Sequence, residues 1–186
     1  PAFAKPDISP MWDGNVNIAL NGNTVLLVSE RLSKGLKVSG TGTIQLSNCY
    51  IAPQNDGYSP AIELAPGANV KIVLSGDNTL IGPRNGDAIR VPETATLTLT
   101  GDNLTAIGNN GLEYEVNNGN KSYCNTDDDT YTGTAGSAIG NTDDDSGKND
   151  EAYNTGTIII DNVKSLTAKG YGRRAFGIGG HNANII

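Results

Sequence analysis

Two adjacent segments of the chain align almost position for position, and this internal repeat limits the fold more than any other feature. The first reads Ala61-Ile62-Glu63-Leu64, then Val70-Lys71-Ile72-Val73-Leu74-Ser75-Gly76-Asp77-Asn78, then Leu80 and Gly82. The second reads Ala88-Ile89-Arg90-Val91, then Ala95-Thr96-Leu97-Thr98-Leu99-Thr100-Gly101-Asp102-Asn103, then Leu104, Ile107 and Gly108. The offset is 27 residues at the opening strand and 25 at Gly-Asp-Asn, so a small length change separates the two strands. Fainter copies flank the pair: Leu36-Lys37-Val38 with Thr43-Ile44-Gln45-Leu46 upstream, and Ile158-Ile159-Ile160 with Leu166-Thr167-Ala168-Lys169-Gly170 downstream.

Within each copy apolar and polar residues alternate over short runs bounded by Gly, Asn and Asp, the pattern of brief strands joined by tight bends. A strand that short cannot bury its apolar face alone. Stacking it on the equivalent strand of the next copy pairs the backbone and lines like residues into columns. The expected fold is therefore all-β: a single-stranded, parallel, right-handed β-helix solenoid of four to five turns with a long loop insertion. Its inward columns are read as Ile62, Leu64, Ile72 and Leu74 over Ile89, Val91, Leu97 and Leu99, with Leu36, Val38, Ile44 and Leu46 below. Lys71, Arg90, Thr96 and Thr98 then face solvent. The competing architecture, an antiparallel sandwich, uses strands of similar spacing but has no need of repeats that resemble one another.

Composition agrees with bends and strands. Glycine (24), asparagine (22) and threonine (17) together make about a third of the 186 residues; Gly and Asn tolerate positive φ, and Thr favours the pleat. One domain is expected over 1–186: residues 1–34 as a cap or first strands, 35–108 as regular turns, 109–137 as the insertion and 138–186 as further turns. In the insertion, Leu112, Tyr114, Val116, Tyr123 and Tyr131 suggest a hairpin. A shorter polar stretch, 141–156, follows. The apolar Ile185-Ile186 reads as a strand beginning, so the solenoid is expected to continue into further turns or domains.

A formal net charge of −7 without a Lys/Arg cluster argues against a nucleic-acid surface. No stretch approaches the roughly 18–20 apolar residues of a membrane span, so membrane insertion is not expected. Cys49 and Cys124 have no metal-like spacing. Both are read as free thiols, with Cys49 buried beside Tyr50 and Ile51; a disulfide between them is the alternative.

Asn-Thr-Asp-Asp-Asp occurs twice, at 125–129 and 141–145. Alternate carboxylates in loops supply the oxygens Ca²⁺ prefers, which makes Asp127, Asp129, Asp143 and Asp145 the candidate metal ligands. Neither stretch matches an EF-hand or a glycine-rich calcium nonapeptide, and solvated acidic loops are the competing reading. No cofactor is required by any motif. Tyr123, Tyr131, Tyr153 and Tyr171 are the candidate ligand-binding residues, as rings that could stack on a sugar, against ordinary surface packing.

Ser137-Ala138-Ile139-Gly140-Asn141 and Ala175-Phe176-Gly177-Ile178-Gly179-Gly180, with the Leu-x-Gly-Asp-Asn corners, resemble the Ala-Gly-Ile-Gly-Gly repeats of bacterial cell-surface β-helix proteins, which include adhesin-like and carbohydrate-binding domains. The resemblance covers about 36–186; the insertion departs from it. It implies a secreted, extracellular surface module for cell adhesion or carbohydrate binding, non-catalytic, with a polysaccharide or host-cell glycan as partner. A structural spacer in a larger surface protein is another reading. Pectin-hydrolysing β-helix enzymes are similar in having Asn-Thr-Asp, Asp-Asp and Gly-His elements, here Asn125-Thr126-Asp127, Asp143-Asp144 and Gly180-His181. His181 lies 37 residues beyond Asp144, no Gly follows it, and no Arg-x-Lys element is present. No catalytic residue is therefore assigned.

Overall fold

Alternation of period two, broken every few residues by a residue that accepts positive φ, lets the chain bend repeatedly without leaving the sheet. In the computed structural model this produces an all-β chain whose strands stack as successive turns of a parallel, solenoid-like sheet, nearly closed on itself. The structure describes residues 9–10, 16–53, 59–83, 86–108, 114–116, 120–122, 136–141, 154–171, 175–180 and 182–186. Among these residues no helix is long and apolar enough to cross a membrane.

The first turn holds β1 (Ser9–Pro10), β2 (Val16–Val28) and β3 (Arg31–Leu32); the second holds β4 (Leu36–Ser47) and β5 (Tyr50–Ile51). The third and fourth hold β6 (Ile62–Leu64) with β7 (Asn69–Ile81) and β8 (Ile89–Arg90) with β9 (Thr96–Ile107). After β10 (Tyr114–Val116) and β11 (Asn120–Ser122), the fifth turn holds β12 (Ile139–Gly140) and β13 (Thr157–Lys169), and the sixth β14 (Ile178–Gly179) and β15 (Asn184–Ile185). β10 and β11 form the expected hairpin inside the insertion, antiparallel with Tyr114 opposite Ser122. Short β1 is also antiparallel, laid against the start of β2.

Among the described residues every other strand-to-strand ladder is parallel, the isolated bridges Pro92–Thr155 and Gly136–Tyr171 being antiparallel. Leu36, Ile62, Ile89, Ile139 and Ile178 stack in one column through successive turns, although 50 residues separate Ile89 from Ile139. The backbone follows suit: the Ile62 N–H donates to the Ala88 carbonyl (2.9 Å), Ile89 to Ala138 (2.9 Å) and Ile139 to Gly177 (3.1 Å). All twelve residues assigned to inward columns are buried, and each buried aliphatic contributes roughly 1.5–3 kcal/mol. Lys71 is exposed and Thr96 and Thr98 half-buried, on the opposite side of their strands.

The register between the two best-matched copies needs correction. Aligning Gly-Asp-Asn with Gly-Asp-Asn places Ile72 over Leu97 and Leu74 over Leu99. The structure instead pairs Val70 with Leu97, Ile72 with Leu99 and Leu74 with Gly101, then shifts between Leu74 and Asp77 so that Asp77 meets Asn103 and Leu80 meets Ala106. Inward residues stay inward because the first discrepancy is two residues, a whole period of the pleat. A bulge at the corner absorbs the rest.

That corner explains the bulge. Ser29, Asn48, Gly76, Gly101 and Asn162 each adopt positive φ where their turns bend from one long-strand segment to the next. Polar side chains then replace the broken ladder. Asn48 Oδ1 accepts the Asp77 N–H (3.1 Å), Asp102 Oδ2 accepts that of Gly76 (2.8 Å), and the buried Asn78 Oδ1 accepts that of Cys49 (3.0 Å). Cys49 is a buried free thiol, as expected, and its Sγ donates to the Leu27 carbonyl (3.2 Å). Cys124 lies outside the described residues.

Candidate functional site at the roots of the insertions

The polar insertions leave the stack on either side of one short strand, β12. Residues 109–135 enter between Gly108 and Gly136; residues 142–153 enter between Asn141 and Asn154. Why the chain bends there is visible in its glycines. A Cβ on Gly108 would overlap the carbonyl oxygens of Gly136 and Ser137, so only glycine lets the departing and returning strands touch.

The returning strand is fixed by a buried carboxylate. Asp87, fully buried, accepts the Ser137 N–H through Oδ1 (2.8 Å) and the Arg90 Nε–H through Oδ2 (3.0 Å). Donors to both oxygens offset the cost of burying this polar group. One turn on, Ser137 repeats the role, its Oγ accepting the Phe176 N–H (3.1 Å). At the second root, the Asn141 N–H donates to Thr155 Oγ1 (3.2 Å) and its amide to the Asn154 carbonyl (3.1 Å). Asn182 donates from its amide to Asn154 Oδ1 (2.9 Å), tying the sixth turn to the same root.

Two exposed aromatics flank the first root. Tyr171 exchanges paired backbone hydrogen bonds with Gly136 (3.0 and 3.1 Å), and the Phe176 carbonyl accepts the Ala138 N–H (3.0 Å). Residues five apart in sequence are thus anchored two positions apart along one strand. Tyr171 is 39 % and Phe176 37 % exposed. A half-exposed ring on fixed backbone offers an apolar face at little entropic cost.

Of the candidate binding residues, Tyr171 is the one the structure describes, and it sits at this root. Tyr123, Tyr131 and Tyr153 lie outside the described residues, as do Asp127, Asp129, Asp143 and Asp145, and Asp144 and His181. Among the described residues no three acidic, histidine or cysteine side chains converge to hold a metal. Phe176 and Asp87 were missed by sequence reasoning. Both occupy the position before the small residue that precedes the short strand of each turn, a column running Asp87, Ser137, Phe176, and a polar-to-aromatic change in a repeat column was the available signal. No family model, curated protein or solved structure matches the chain.

Proposed function

We propose that this chain is the non-catalytic, glycan-binding module of an extracellular surface protein, a right-handed parallel β-helix that presents aromatic rings and polar loops from one end of its stack. The observation that carries the reading is the pair Tyr171 and Phe176, exposed beside the root of the long insertion and held by backbone hydrogen bonds to residues 136–138. A pyranose ring has one C–H-rich face that stacks on an aromatic and an equatorial rim of hydroxyls that needs polar partners. Asn141, Asn154 and Asn182 supply amides at the other end of the same short strand. The right hand follows from the chirality of parallel strand crossovers.

A glycan array that includes polygalacturonate, read with the intact chain and with Tyr171→Ala/Phe176→Ala, tests the proposal. Binding of at least one polysaccharide is expected, weakened roughly 10- to 100-fold in the double variant, equivalent to about 1–3 kcal/mol from two stacking rings. Uniform failure to bind, or binding indifferent to both rings, contradicts it.

A further inference from the structure

The middle turns lay strand on three sides of the stack, and each side is a separate column of paired residues. One column runs Leu36, Ile62, Ile89, Ile139, Ile178, and a second runs Thr41, Asn69, Thr96, Thr157, Asn184. Both reach the sixth turn. The third runs Tyr50, Thr79, Thr105, Thr167 and, among the described residues, stops in the fifth. β14 and β15 therefore fill two sides of the sixth layer, while residues 163–169 of β13 have no described strand on the side away from β9.

The uncovered side has the chemistry of a covered one. One turn earlier Leu104 and Ala106 are 2 % and 0 % exposed, whereas their direct partners Leu166 and Ala168 are only half-buried, as is Val163. The Lys169 carbonyl accepts the Gly108 N–H (2.8 Å), so strand alternation turns the backbone groups of Leu166 and Ala168 away from β9, along the open side. Backbone donors and acceptors beside uncovered apolar positions form a template for one more strand.

We propose that this notch docks a single extended peptide segment of a partner, added parallel to β13 with apolar residues opposite Leu166 and Ala168 and a carboxylate opposite Lys169. Three observations choose that occupant. The notch is one strand deep, about 4.8 Å, because β14 and β15 already stand in its layer; a second copy of this end would meet those strands before its own β13 could pair. Each strand on this side, from β3 through β5, β7 and β9 to β13, is parallel to the one before, and main-chain pairing continues in the same sense. The outward column runs Ile81, Ile107, Lys169, and Lys169 is exposed. The same molecule shows what such a lysine accepts opposite it: Lys37 is paired directly with Glu63 across β4 and β6, their charged groups 3.9 Å apart. Nothing in this docking requires a glycan.

The octapeptide Ser-Gly-Asn-Leu-Thr-Val-Glu-Gly, blocked at both ends, represents the segment. Its centre follows Asn103-Leu104-Thr105-Ala106 of the preceding layer, with valine and glutamate placed over Ala168 and Lys169. Titrated into the isotope-labelled intact chain, it should saturate, shift the amide resonances of residues 163–169 and slow hydrogen exchange at Leu166 and Ala168. Replacing its leucine and valine with serine should weaken binding about 10-fold or more. The Lys169→Glu chain, with its melt unchanged, should bind the peptide about 2- to 5-fold more weakly and regain affinity when lysine replaces the peptide's glutamate. No change at 163–169 up to millimolar peptide overturns the site, and so does equal binding of the serine-substituted or the reversed-sequence peptide. Sedimentation of the chain alone as a stable dimer with 163–169 already protected from exchange assigns the notch to a second copy and overturns the peptide reading.

Discussion

Single residues carry this fold in two distinct ways, by filling columns and by permitting corners. The corner residues are the more exacting. Gly101 has φ of +106°, and a Cβ there would overlap the Leu74 carbonyl oxygen of the neighbouring turn, whereas Gly67, with φ of +76°, faces open space. Positive φ alone costs an L-residue roughly 1–2 kcal/mol. Gly67→Ala should therefore lower stability by about 1 kcal/mol and Gly101→Ala by about 3 kcal/mol or more, because backbone must move as well. Urea unfolding of both variants checks the difference. Equal losses would mean that the turns are not packed at Gly101 as described. Ser29, Asn48 and Asn162 show that positive φ does not require glycine; asparagine tolerates it through its short polar side chain, and the corners of different turns share positive φ while differing in residue type.

At the scale of strands, that variation in corner residues sets what could be read from sequence. The column Leu36, Ile62, Ile89 was legible from alternation, and the downstream pairing of Leu166-Thr167-Ala168 with Leu104-Thr105-Ala106 was legible from near-identity. Register through β7 and β9 was not. Identity of Gly76-Asp77-Asn78 with Gly101-Asp102-Asn103 invites superposition, but hydrogen bonding of the longer preceding strand decides pairing, and the bulge falls where the motif sits. The site was less legible than the fold. Tyr171 stood out as an aromatic near a turn end, while Phe176 was hidden in a glycine-rich motif and Asp87 in a loop, and only pairing across turns relates them. The corrected register can be trapped chemically. Lys71 and Thr98 are directly paired on the outer side, about 4.8 Å apart, within disulfide reach; Lys71 and Thr96, paired by the motif alignment, would be about 8 Å apart and beyond it. With Cys124→Ser as background, Lys71→Cys/Thr98→Cys should oxidise nearly completely and Lys71→Cys/Thr96→Cys should not. Efficient closure of the second pair alone would restore the motif register.

For the whole molecule, the stack is asymmetric. In the first turn Ile18, Leu20, Val25 and Leu27 are buried, whereas in the fifth Ile160, Val163, Leu166 and Ala168 are only half-covered and Ile185 and Ile186 in the sixth are 50 % and 67 % exposed. Nearest-neighbour stacking makes stability local along such an array, so the well-covered central turns are its firmest part. The half-exposed Tyr171 and Phe176 lie at this less covered end, on backbone bonded to Gly136 and Ala138. The fold requires turns that stack in parallel, in chain order, across the insertions. Methyl-to-methyl nuclear Overhauser contacts measure that directly on the 19.3 kDa chain. The predicted result is a continuous chain of contacts from Leu36 to Ile62, Ile89, Ile139 and Ile178, with Val38 meeting Leu64 in the same sense. Contacts in the reverse order, with Leu36 meeting Leu64 and Val38 meeting Ile62, would contradict it.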